Sequence, residues 1–408
     1  MSSKSNHTQL NTLRWLTYMM FLMFAMTSDA VGVIIPTLIS EYQLSMTQAS
    51  AFHYAPMILI AFSGLCLGFL ADKIGRKLTV LIGLILFSSA CFLFALGETF
   101  TMFLMLLCVI GLAIGLFKTG ALALLGDISD GAQEHTQTMN KVEGFFAIGA
   151  IIGPAIVSYL LIQGVSWTYL YVLAGGLCLV LSIVTLSTDF PKFNTANAQN
   201  NAGLSHTAAM LKNKYALGFS LAIALYVATE VAIYVWMPTL LQDYQGDLTW
   251  LATYALTIFF ILRAIGRFMA VWLLAKYRWQ SVMLTLSFAI FVCYFLTYLY
   301  GVNAAIYTLP LSGLFMSMIY PTLNSKGISC FDKAQHGSVA GVMLFFTALS
   351  AALAPLLMGM VSDYFGHVSY GFILATGFAF LLFAAMLYNW LKDPARLPLS
   401  KNAKLQRV

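Results

Sequence analysis

Five ionisable side chains stand inside apolar runs long enough to cross a bilayer: Asp29, Lys118, Glu230, Arg263 and Arg267. A charge in hydrocarbon costs at least about 2.5–3.5 kcal/mol on insertion scales, so each of the five needs a partner or a task. A carboxyl in such a place can load a proton from one side and release it on the other when a cation approaches, which makes Asp29 and Glu230 candidate proton carriers. Lys118 and Arg263 suit an anionic group of a solute, and Lys118 also suits displacement of a proton from Asp29. A static ion pair that fastens helices is the plainer alternative for each of them. Arg267 lies one helical turn from Arg263 on the same face, within Gly266-Arg267-Phe268, and is read as structural. Tyr226, Tyr234, Trp236, Tyr320 and Asn324 supply the polar tips and stacking faces of a small-solute pocket. Glu143, beside Lys141, is a candidate gate or interface charge.

The elements that must position these residues follow from composition. The 408 residues are 60% hydrophobic and 9% charged, where a soluble domain has about a quarter charged. Mean hydropathy is +0.85. Cutting at polar, Gly and Pro clusters leaves twelve apolar segments of roughly the 20 residues a span requires: 14–40, 48–71, 76–96, 100–125, 138–164, 166–187, 214–241, 249–275, 279–300, 303–328, 335–362 and 368–391. Eighteen of the twenty-one Lys and Arg fall at the termini and in alternate loops, and the other loops carry only acids such as Glu41, Glu98, Asp243, Asp247 and Asp363. Basic loops stay on the cytoplasmic side, so both termini are expected there. The net charge of +6 is then the signature of this bias and of anionic lipid, not of nucleic acid. The first segment has no small-residue cleavage site and reads as a retained span. The six cysteines show neither a disulfide framework nor zinc spacing.

The polar stretch 188–213 divides the chain into two sets of six segments, 14–187 and 214–391, with 1–13 and 392–408 as cytoplasmic ends. The two halves repeat one another. Pro36-Thr37-Leu38-Ile39-Ser40-Glu41-Tyr42 matches Pro238-Thr239-Leu240-Leu241-Gln242-Asp243-Tyr244, and near the same offset Gly64 matches Gly266, Gly115-Leu116-Phe117 matches Gly313-Leu314-Phe315, and Pro154 matches Pro355. Such duplicated bundles are the architecture of transporters in which one half rocks against the other.

After the second segment, Gly68-Phe69-Leu70-Ala71-Asp72-Lys73-Ile74-Gly75-Arg76-Lys77 closely resembles the signature between helices 2 and 3 of the major facilitator superfamily. The resemblance implies an all-α membrane protein of twelve transmembrane helices in two pseudo-symmetric six-helix bundles, with helices 1, 4, 7 and 10 lining a central cavity. It makes Asp72, Gly75 and Arg76 gating residues. Glu143-Gly144-Phe145 through Gly153-Pro154, and Tyr226-Val227-Ala228-Thr229-Glu230 with Trp236 and Pro238, resemble the fucose–proton symporter-like branch. That branch carries an acid on helix 4 where this chain has Lys118, which argues against a neutral sugar. Gly149 to Pro154 also resembles the antiporter motif of drug exporters, but Val157 and Ser158 replace its closing glycines.

The expected function is secondary active transport of a small polar solute (a carboxylate, sugar or related metabolite) by alternating access, with proton-coupled uptake. A proton-coupled drug or metabolite exporter and a transporter-like receptor are the alternatives. No phosphate-binding glycine loop, nucleophile elbow or metal-ligand spacing appears in the sequence, so neither an enzyme nor a cofactor is expected. The expected partners are the solute, protons and lipid, for a monomer in the inner membrane.

Overall fold

The computed structural model describes residues 2–67, 74–128, 132–191, 212–331 and 336–399. In chain order the helices are α1 Ser2–Ser28, α2 Val31–Tyr42, α3 Met46–Leu67, α4 Arg76–Leu93, α5 Phe100–Asp127, α6 Ala132–Ile162 and α7 Tyr169–Ser187. They continue with α8 Lys214–Leu241, α9 Thr249–Thr253, α10 Ala255–Lys276, α11 Trp279–Tyr300, α12 Val302–Met316, α13 Ile319–Ser329, α14 His336–Phe365 and α15 Val368–Lys392. No strand occurs among the described residues.

Hydrocarbon offers the backbone no hydrogen-bond partner, so helices that satisfy their own amides are the economical solution. Among the described residues, eleven helical spans are long and apolar enough to cross a membrane, and α3 adds 22 residues that run to the edge of the described chain. Their outer faces confirm the solvent they expect. On α7, Tyr169, Leu173, Leu179, Val180, Ile183 and Leu186 are 49–57% exposed, an apolar surface that water would not tolerate and lipid does. Prolines 36, 56, 154, 238, 310 and 355 lie within helices.

The chain forms two compact units, Met1–Leu44 with Ala51–Asn200, and Ser45–Ser50 with Asn201–Val408. In the first, α1 packs on α6, and α4 packs on α5 and α7. Phe94, Phe103, Trp167 and Tyr171 pack together at one end of it, with Phe94 stacked on Tyr171 at 4.0 Å between ring centroids. In the second, α8 packs on α14 and α15, and α11 on α12 and α15. Asp363 of this unit accepts the Met46 and Thr47 amides on its two carboxylate oxygens, at 2.6 and 2.8 Å.

Glycines bring the helix backbones together at matching places. A Cβ at Gly115 of α5 would strike Ser63 of α3, and one at Gly313 of α12 would strike the Phe259 carbonyl of α10. On α6, Cβ atoms at Gly149 and Gly153 would strike the Leu22 and Met26 carbonyls of α1.

The structure differs from the sequence reading at several boundaries. Helix α1 begins at Ser2 instead of near residue 14, because extending a formed helix gains one hydrogen bond per residue fixed. The first segment is interrupted at Asp29-Ala30 and the tenth at Ser317-Met318. The eighth begins with the separate turn α9. Most of the interdomain stretch, residues 192–211, lies outside the described residues, and α8 starts at Lys214, where Asn213 Oδ1 accepts the Tyr215 and Ala216 amides.

Candidate functional site

The second unit carries the tighter of two charged clusters. Glu230 sits at mid-length of α8 and is buried. Its Oε1 accepts the Tyr226 hydroxyl, one turn earlier, at 2.8 Å, and Arg263 Nη2 of α10 reaches the same oxygen at 2.6 Å. Two donors on one carboxylate oxygen make a short, charge-assisted arrangement. Arg267 acts on Tyr226 through its charge. Beside it, Tyr294 of α11 donates to the Thr229 carbonyl at 2.5 Å, which ties the backbone next to Glu230 to a neighbouring helix. Tyr320, at the start of α13 just past the break at Ser317-Met318, places its ring 6.3 Å from that of Tyr226. Tyr320 and Asn324 are part-buried, as is Tyr234, which stacks on Phe260. Trp236 is fully buried, and its indole N–H donates to the Pro355 carbonyl of α14 at 3.1 Å.

The first unit is built differently. Lys118 of α5 is part-buried, and its Nζ lies over the rings of Phe21 and Phe24 on α1, 5.7 and 5.1 Å from their centroids. Such a cation–π cage is worth about 0.5–2 kcal/mol. Glu143 and Asp29 both attract this ammonium electrostatically. Asp29 is buried at the break between α1 and α2, where Ser28 Oγ donates to its Oδ1 at 3.2 Å. In many transporters the ends of interrupted helices meet the substrate or the coupling ion near the middle of the membrane. Glu143 is on an exposed stretch of α6.

Of the gating candidates, Asp72 lies outside the described residues. Gly75 precedes α4 with φ of +91°, a left-handed conformation that glycine adopts without strain. Its carbonyl accepts the Thr79 hydroxyl at 3.0 Å. Arg76 is buried, and Lys77 caps the end of α7 by donating to the Leu186 carbonyl at 2.9 Å. Sequence reasoning picked out the charged members of both clusters but passed over Phe21, Phe24 and Tyr294. Nothing separates these three from the other aromatics of a chain with 31 Phe and 20 Tyr. Among the described residues no group of three or more His, Cys, Asp or Glu could hold a metal.

A polytopic helical protein of two bundles, with buried charges at helix breaks and at mid-span, belongs to the class of membrane carriers. The chain is a member of the Major Facilitator Superfamily, which it matches over residues 17–355. It is 23% identical over 391 residues to the L-fucose-proton symporter of Escherichia coli K12, covering 86% of each chain. It is 29% identical over 176 residues to the quinolone resistance protein NorA of Staphylococcus aureus, covering 41% of this chain and 44% of NorA. Among solved structures, the nucleoside transporter NupG superposes with a TM-score of 0.74 at 16% identity, covering 94% of this chain and 99% of NupG. That last likeness establishes the shared fold.

Proposed function

We propose that this protein takes up a small polar solute, a carboxylate, sugar or related metabolite, together with protons by alternating access. The observation that carries the reading is the Tyr226–Glu230–Arg263 cluster, an ionisable carboxyl held inside a membrane span by a tyrosine and an arginine. Asp29 and Glu230 are the proton-coupling acids. Lys118 and Arg263 engage the solute's polar or anionic groups, with Tyr226, Tyr234, Tyr320 and Asn324 around them. Trp236 acts on this site through its bond to Pro355. Asp72, Gly75, Arg76 and Glu143 serve in gating. The likeness to a proton symporter over most of both chains supports the coupling. The distribution of basic residues supports cytoplasmic termini, and the very short outer loops support an inner membrane.

Purified protein in proteoliposomes under an imposed pH gradient tests this reading against a panel of sugars, carboxylates, amino acids and cationic dyes. A sugar or carboxylate should accumulate while the gradient lasts and leak away when a protonophore collapses it. Asp29→Asn should lose that accumulation and keep substrate exchange; retained accumulation would remove Asp29 from the proton path.

Export is the second reading. It draws on the partial likeness to NorA and on the close seating of Gly149 and Gly153 against α1, where this chain carries part of the exporter motif. Gradient-driven expulsion of the dyes, with no uptake of the other solutes, would favour it.

A further inference from the structure

We infer that Glu230 is a built-in stand-in for the carboxylate of a monoanionic substrate, and that this substrate and one proton enter together by replacing Glu230 on Arg263. The inference rests on the proton-coupled reading and names its substrate class. Glu230 Oε1 marks a point where two donors from two helices converge, Tyr226 Oη of α8 at 2.8 Å and Arg263 Nη2 of α10 at 2.6 Å. A donor pair already arranged around one carboxylate oxygen suits another carboxylate equally well. The break at Ser317-Met318, with Tyr320 beside Tyr226, puts an irregular stretch of backbone next to the cluster, as is usual where a membrane helix lines a substrate site.

The exchange balances. A proton binds the Glu230 carboxylate and makes a neutral acid, and the ion pair with Arg263 breaks. Arg263 Nη2 and the Tyr226 hydroxyl then donate to the carboxylate of the incoming anion. One positive and one negative charge have entered, so the net charge of the cluster is unchanged. Either step alone is costly. An anion arriving first sets two carboxylates against the same guanidinium, and a proton arriving first takes from Arg263 the counter-charge of Glu230. Proton and anion therefore bind with positive cooperativity, which is reciprocal by linkage. The titratable and charged groups around Glu230 are Tyr226 on its own helix, Arg263 and Arg267 on α10, Tyr294 on α11 and Tyr320 on α13.

The test is a titration of acetate, lactate, gluconate and glucuronate into purified full-length protein, read by thermal shift. It is run at about pH 5.5 and about pH 8, where these acids are ionised. For wild type, at least one acid should bind about tenfold or more tighter at the lower pH, a difference of about 1.4 kcal/mol or more. Glu230→Gln, neutral and of the same shape, should bind that acid with equal affinity at both pH values. Tyr226→Phe should keep the pH dependence and weaken binding by about tenfold.

Equal wild-type affinity at the two pH values would overturn the exchange, since the anion would then settle without displacing Glu230, for example on Arg267. Retention of the wild-type pH dependence in Glu230→Gln would overturn it too, as would silence of wild type and Glu230→Gln toward all four acids. If Glu230→Gln does not fold, the wild-type pair and Tyr226→Phe decide the matter. Gradient-driven accumulation of a neutral sugar with no acid bound would sink the exchange and leave proton coupling standing. No gradient-driven accumulation of any solute would remove the coupling itself.

Discussion

The two units share a packing scheme and differ in their buried charges. Gly115 and Gly313, related by the internal repeat, each seat one helix against a neighbour where a Cβ would collide. The charges correspond only in part: Asp29 and Glu230 lie 201 residues apart, the spacing of Pro154 and Pro355, but the groups around them differ. In the first unit one lysine rests on two phenylalanines, with Asp29 and Glu143 acting on it by charge. In the second, one glutamate is gripped directly by an arginine and a tyrosine, with a second arginine acting on that tyrosine. Duplication thus preserved these backbone contacts and an acid at matching places, while the partners of the two acids diverged. The first unit's set holds two acids and one base, and the second's one acid and two bases.

The largest effect expected from breaking this contrast comes from Arg263→Ala. It leaves Glu230 buried without its counter-charge and should cost about 3–5 kcal/mol, read as a fall in thermal midpoint. The double variant Arg263→Ala with Glu230→Ala should recover much of the loss. Lys118→Ala should cost far less, about 1 kcal/mol, because it mainly gives up cation–π contact. Equal losses at the two sites would mean that the clusters are held in the same way.

The shared packing is tested by Gly115→Val and Gly313→Val. Each forces a side chain into a neighbouring helix and should destabilise by roughly 1–3 kcal/mol. Loss of folded yield for one and not the other would show that the repeat no longer carries a common contact. A smaller effect is expected at Trp236→Phe, which keeps the aromatic bulk and deletes the bond to the Pro355 carbonyl, for about 1 kcal/mol. Transport rate should fall with stability there, while the relative preference among solutes should not change.

The contrast also marks what a sequence can disclose. Spans are legible because hydrocarbon imposes one requirement on every residue in them, and the Pro36 and Pro238 segments expose the duplication directly. Asp29, Lys118, Glu230 and Arg263 stand out because a charge in an apolar run is rare. Their partners do not stand out. Glu230 and Arg263 are 33 residues apart on different helices, and in the sequence nothing sets Phe21 and Phe24, buried under Lys118, apart from the other phenylalanines. Trp236 reads as a pocket aromatic until its N–H is followed to Pro355, 119 residues away. The breaks at Asp29-Ala30 and Ser317-Met318 are hidden for another reason. Uniformly apolar flanks carry no periodic signal to interrupt, although Ser28-Asp29 ahead of Gly32, and Ser312-Gly313 ahead of Ser317, are the small and polar residues such breaks tend to use.

In the proposed coupling a proton moves inward with the solute through these buried acids. Its most direct measurement is the internal pH of proteoliposomes, followed with a trapped pH-sensitive dye as the transported solute is added outside. With wild type the interior should acidify in step with uptake, and Asp29→Asn should exchange solute without acidification. Uptake by wild type with no change in internal pH would contradict the account.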